Sequence, residues 1–236
     1  MSLRLLAALA ACLTVAACGL PLRPGALRPI PEAAQETGQA QAQSFLEVVS
    51  RVEPVAEAEC AQRNPTANCD FRIVVDDRPG MPPNAFQTLE SGGRPLLAFT
   101  VSLISAVQNP DELAFVMAHE ASHHIAGHLA LQDEYASLGA AVFGQLASQA
   151  AGATPASIRE AQQLGAQVGA RSYSKDFELE ADRLGTFVAT QAGYDPILGA
   201  QFFLRLPDPG NRFLGTHPSN GERIATVARA AAEIRR

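Results

Sequence analysis

The segment Asn109-Pro110-Asp111-Glu112, followed by His119-Glu120-Ala121-Ser122-His123, constrains this chain more than any other. Asn109 is placed to cap a helix, Pro110 to open its first turn and Glu112 to complete a capping box. A helix begun there runs through Leu113, Val116, His119 and His123 to about His128. Residues four apart share a helix face, so His119 and His123 can aim imidazole nitrogens at one metal ion. Glu120, one step round the helix, reaches a water held in the open coordination position. Zinc lowers the pKa of such a water to about 7, and a carboxylate can take its proton during attack on a peptide carbonyl.

A catalytic zinc needs a third protein ligand. His124 and His128 lie about 140° and 180° round the helix from His119, at 100° per residue, and read as packing or supporting residues. A metzincin would carry Gly at 126 and His at 129, where this chain has Ala126 and Leu129. That geometry is excluded. Downstream, Phe177-Glu178-Leu179-Glu180-Ala181-Asp182 places Glu178 and Asp182 on one helix face. One of the two can bind zinc while the other accepts the free N–H of a ligating histidine. Glu180 points to the opposite side.

At 236 residues the chain has room for one well-packed domain, and its net charge of −6 leaves no basic stripe for nucleic acid. Arg4 and the apolar run Leu5–Ala17 form a signal peptide over residues 1–17, too short to span a membrane as a mature helix. Val15-Ala16-Ala17-Cys18 looks like the lipobox of bacterial lipoproteins, with Cys18 as the lipidated residue. Cys12 also fits that pattern but would leave a very short apolar region. Gly19, rather than Asp, permits sorting to the outer membrane by resemblance to other lipoproteins. Cys60 and Cys69 then remain as a pair, and in an oxidising periplasm they are expected to form one structural disulfide.

Residues 18–42, rich in Pro, Ala, Gln and Gly, read as a tether from lipid to domain. The folded domain spans 43–236. A helix from about Gln43 presents Phe45, Val48, Val49 and Val52, with a kink expected at Pro54. Strands are expected at Phe71–Val75, Asn84–Leu89 and Pro95–Val101. Further helices are expected at 174–192, 196–206 and 219–234. The Ala/Gly-rich stretch between them, about 134–172, reads as two weakly amphipathic helices that could fold over the cleft as a lid. The fold class is α+β, mainly helical, with a small sheet of about three strands packed on the His119 helix.

Taken together, Ala118–His123, Phe177–Asp182 and Thr216-His217-Pro218-Ser219 with Arg223 resemble the CAAX-protease/HtpX family of gluzincin metallopeptidases. The likeness covers about residues 45 to 235 and is strongest toward the family's small lipoprotein branch. It implies a zincin-like core and one Zn2+ per chain on His119, His123 and Glu178. It further implies Glu120 as general base, Asp182 behind the ligands, and His217 and Arg223 near the metal, where they could stabilise an oxyanion. In periplasmic members the histidine equivalent to His217 can occupy the open zinc position and hold the enzyme latent. All five histidines of the chain fall within these segments or within a turn or two of them.

The resemblance implies an endopeptidase acting on unfolded or misassembled envelope proteins, and the export signal with the lipobox before Cys18 is expected to attach it to the outer membrane of a bacterial envelope. The competing reading is a chaperone-like module that retains zinc as a structural element. Glu120 favours catalysis, because a structural zinc needs no base.

Overall fold

The computed structural model describes residues 32–210, 215 and 217–235. The signal peptide and Cys18 lie outside these residues. The chain forms eight α-helices, one 3-10 helix and three strands among the described residues. They run α1 (Glu32–Arg63), β1 (Arg72–Asp76), β2 (Ala85–Leu89), β3 (Pro95–Thr100), α2 (Val101–Ala106), α3 (Pro110–Ile125) and α4 (His128–Ser148). Then come α5 (Pro155–Ser172), α6 (Ser174–Gln191), α7 (Pro196–Gly199), the 3-10 helix Ala200–Arg205 and α8 (Asn220–Ile234).

The central element is α3. Asn109 Oδ1 accepts from the backbone N–H of Glu112 (2.9 Å), which fixes the helix start. Glu112 is buried and accepts from Gln108 N (2.7 Å), and Arg205 holds its carboxylate with both guanidinium branches, one at 2.6 Å. Along α3, Leu113 to His119, Ala121, Ser122 and Ile125 are all buried. An α-helix buried on nearly every side needs neighbours all round. Here α1 packs on one side, the sheet on another, and α6 and α7 on the rest.

The sheet has the order β1-β3-β2, with β1 parallel and β2 antiparallel to the central β3. β3 carries the buried residues Leu97, Ala98, Phe99 and Thr100. Beside it, β2 pairs with β3 alone among the described residues and so forms one edge of the sheet. The short helix α2, absent from the sequence expectation, follows β3 directly because Thr100 Oγ1 caps it through Leu103 N (3.2 Å).

The helix expected over 196–206 is divided into α7 and the 3-10 helix, and two further boundaries differ by more than a residue or two. The first helix starts at Glu32 rather than near Gln43, because the Glu/Ala/Gln composition of that stretch is itself helix-favouring. Its early residues are exposed, while Phe45, Val48, Val52 and Ala56 join the core. It also continues through Pro54, which faces solvent. The second is the end of α3. It stops at Ile125 because Gly127 adopts φ +71°, a left-handed position that suits glycine, and His128 then begins α4.

The 134–172 stretch forms two helices, α4 and α5, packed face to face as a hairpin. A Cβ on Gly139 would stand 2.1 Å from the Gly165 carbonyl oxygen, so the two backbones meet without side chains between them. Leu129 and Gln132 of α4 line the cleft, and no described residue from 134 to 172 does so. The stretch therefore does not close over the site as a lid in this structure. Its small residues are used up in helix-to-helix packing.

Cys60 and Cys69 form a disulfide, and the loop it ties off reaches α3, where His124 Nε2 donates to the Asn68 carbonyl (2.8 Å). With a sequence separation of 9, the cross-link is expected to stabilise the fold by about 2.5 kcal/mol through the unfolded chain. Urea unfolding with and without reductant measures this. An unchanged midpoint on reduction would contradict it.

Candidate metal centre

Helix α3 brings His119 and His123 to one face, and α6 lies against it at that level. Their approach depends on Gly185: a Cβ there would come within 3.0 Å of the His119 backbone nitrogen. With α6 drawn in, Glu178 and Asp182, two turns and one turn earlier, face the histidines. The distance from His119 Nε2 to His123 Nε2 is 3.2 Å. The Glu178 carboxylate lies 3.5 Å from His119 Nε2 through Oε2 and 3.4 Å from His123 Nε2 through Oε1. Among the described residues these three form a group whose ligand atoms lie within 4.8 Å of one another.

Those spacings fit zinc. Tetrahedral ligation with bonds of about 2.0–2.1 Å sets ligand atoms about 3.3–3.4 Å apart, and two imidazoles with one carboxylate are a common catalytic donor set. Both histidines also have their outer nitrogens engaged. His119 Nδ1 meets Asp182 Oδ1 at 2.9 Å, and His123 Nδ1 meets His128 Nδ1 at 2.9 Å. That leaves both Nε2 atoms directed at the shared space beside Glu178.

Behind these three residues, Asp182 is fully buried and holds Arg223, which donates through Nε (2.8 Å) and Nη2 (2.6 Å). The Arg223 guanidinium also covers the ring of Phe203, 3.6 Å from its centroid. The same Nη2 lies 3.2 Å from His119 Nδ1 and 3.3 Å from His119 Nε2. It also lies 3.6 Å from Glu178 Oε2, which puts a positive charge beside that carboxylate. His217 places Nδ1 3.1 Å from Glu178 Oε2 while staying half exposed. Glu120 is half-buried and lines the same cleft, of about 530 Å³, with His119, His123, Glu178, His217 and Arg223.

The electrostatics follow from burial and contact. Burial and the Arg223 charge both oppose protonation of His119, yet its hydrogen bonds to Asp182 and Glu178 outweigh them, and its pKa is pushed up to about 9. Burial disfavours the Glu178 anion, but hydrogen bonds from His119, His123 and His217 hold its carboxyl well below the ordinary value. For Asp182, His119 and Arg223 likewise overcome burial and lower its pKa.

Helical spacing alone puts Glu180 on the far side of α6 and His128 among the packing or supporting residues. In the structure they meet: His128 Nε2 lies 3.3 Å from Glu180 Oε2. The reason is the turn at Gly127. It ends α3 and returns His128 toward the ligands, whereas a continuous helix would carry it away. A glycine just past the last buried position of a helix is the sequence signal that marks such an ending.

A helix bearing His-Glu-x-x-His, a second helix supplying a carboxylate, and a short mixed sheet flanking the cleft define a metallopeptidase core. The profile of peptidase family M48 matches residues 42–231, and the chain belongs to that family. It is similar to a beta-barrel assembly-enhancing protease of Escherichia coli (strain K12), 32% identical over 139 residues. The Yersinia pestis protein of that name is 30% identical over 149 residues, and a counterpart from Vibrio cholerae 35% identical over 140. These alignments cover 54–57% of this chain but only 28–30% of the relatives' own length.

Proposed function

We propose that the chain is a zinc endopeptidase of the bacterial envelope that hydrolyses peptide bonds in unfolded or misassembled envelope proteins, anchored by lipid on Cys18. The observation that carries the catalytic part is the convergence of His119, His123 and Glu178 at tetrahedral spacing, with Glu120 lining the same cleft. The envelope assignment draws on the lipobox-like sequence before Cys18 and on the similarity to beta-barrel assembly-enhancing proteases. The disulfide is in keeping with an oxidising compartment.

Zinc bound there supplies the Lewis acidity that makes water nucleophilic near neutral pH and polarises the scissile carbonyl. The remaining work belongs to side chains. Glu120 orients the attacking water, takes its proton and returns it to the departing amine. Asp182 accepts the Nδ1 hydrogen of His119 and so fixes that ring's tautomer, while Arg223 holds Asp182 ionised and in place. The outer edge of β2, which pairs with no strand among the described residues, supports the choice of substrate. Asn84, Ala85, Phe86 and Gln87 line the cleft, so an extended polypeptide can add to that edge through backbone hydrogen bonds.

Casein cleavage tests this reading directly. Chelation is expected to abolish it and zinc to restore it; activity that survives full metal removal would end the proposal. Binding is also expected to release a proton. With His119 at about 9 in the metal-free protein, the ring is protonated at pH 7 to 8 and must lose that proton to bind. Affinity should therefore fall as pH drops below about 9, by about tenfold per unit for one proton. Calorimetry in two buffers of different ionisation enthalpy reads the proton count, and a count near zero at pH 7.5 would contradict the assignment.

His217 lines the cleft with Nδ1 3.1 Å from the Glu178 carboxylate, and this closeness to the proposed zinc position supports a latching role. His217→Ala is expected to raise casein cleavage severalfold by freeing the open side of the site. A loss of activity would instead assign His217 to oxyanion stabilisation.

A further inference from the structure

His119 and His123 are both ligands in the reading above, yet their outer nitrogens are held differently. His119 passes its Nδ1 hydrogen straight to a carboxylate, Asp182. His123 instead faces another imidazole, with the two Nδ1 atoms 2.9 Å apart. Nothing in the ligand motif calls for His128, and a continuous helix would carry it away from the site. The turn at Gly127 returns it, and the ring is then locked. His128 is buried and stacks on Phe177 with centroids 4.5 Å apart and planes 18° off parallel.

We propose that His128 and Glu180 are positioning residues that orient the ligand His123 through its outer nitrogen. The inference rests on the zinc reading of the site. It follows from proton counting. If the His123 Nε2 lone pair faces the metal, its hydrogen is on Nδ1. Two nitrogens 2.9 Å apart share one hydrogen, so His128 Nδ1 must be the acceptor. The neutral His128 ring then carries its own hydrogen on Nε2, which lies 3.3 Å from Glu180 Oε2. Every nitrogen in the chain thus has one role, and the two ligands are supported unequally: one by a carboxylate, the other by an imidazole that a carboxylate orients.

The arrangement is built largely by one stretch of α6. Phe177 supplies the stacking face, Glu178 the third ligand and Glu180 the end of the chain. The side chain of Glu180 is 62% exposed, so water competes for His128 at that end. Most of the effect therefore belongs to His128. Loss of a partner of this kind typically weakens metal binding about 10–100-fold.

The test measures zinc affinity by chelator competition in the folded full chain, with chelated protein melted separately. His128→Leu removes the acceptor and is expected to weaken zinc binding about 10–100-fold. His128→Asn restores an acceptor oxygen near the Nδ1 position and is expected to bind within about threefold of wild type, since it replaces the lost hydrogen bond. Equal zinc affinity in His128→Leu and wild type would overturn the proposal, as would a loss in His128→Asn as large as in His128→Leu. If His128→Leu does not fold, 15N NMR of the zinc-loaded wild type decides, because the proposal demands the Nε2–H tautomer at His128; an Nδ1–H there overturns it. Folded wild type that takes up no zinc would instead refute the metal reading itself, and this inference with it.

Discussion

Glu120→Gln is expected to remove casein cleavage while leaving zinc bound. The amide is nearly the same size and Glu120 is not among the three converging side chains proposed to hold zinc, so neither fold nor metal affinity should move. What disappears is the only acidic group of the His-Glu-x-x-His segment able to take a proton from water beside the cleft. General-base catalysis contributes about 10²–10⁴-fold, so turnover should drop by at least that much. Because such a loss removes stabilisation made in the transition state, it should fall on kcat rather than KM. Equal cleavage by Glu120→Gln and wild type would eliminate this mechanism and revive the reading of a structural zinc in a binding module.

The helix that carries this chemistry was legible from the sequence because each signal was local. Asn109, Pro110 and Glu112 mark its start, and the four-residue spacing of His119 and His123 fixes their common face. Glu178 and Asp182 could be placed on a shared face, but their division into ligand and supporting residue came from resemblance. Nothing in the local pattern says which carboxylate stands nearer the histidines. The structure separates them through Gly185, whose missing Cβ sets the depth at which α6 meets α3. The contact of His128 with Glu180 was not legible, since it spans 52 residues and depends on where α3 stops. Arg223 illustrates the same limit. The motif located it near the metal, but its engagement with Asp182 and its stacking on Phe203 arise only once α8 and the 3-10 helix are packed. The early start of α1 shows the reverse case, in which helix propensity alone was enough and a tether-like composition concealed it.

Asp182→Ala should have the largest effect on the molecule itself, because Asp182 serves two partners at once. It is fully buried, accepts from His119 Nδ1 at 2.9 Å, and holds Arg223 through two short hydrogen bonds. Removing it leaves the buried Arg223 guanidinium without its main counter-charge, a loss of about 3–5 kcal/mol in comparable buried pairs. For a domain of this size that corresponds to a melting point lower by roughly 6–20 °C. The metal site suffers separately, since the His119 ring loses the acceptor that fixes its tautomer, and zinc affinity should fall about 10–100-fold. A second variant separates the two effects. Asp182→Leu combined with Arg223→Met removes both charges, and replacing a buried pair by apolar residues of similar volume is often neutral. The double variant should therefore recover most of the melting temperature of the chelated protein and none of the zinc affinity. Were zinc binding to recover together with stability, Asp182 would be a packing residue only, and the orientation of His119 would have to be set by Glu178 alone.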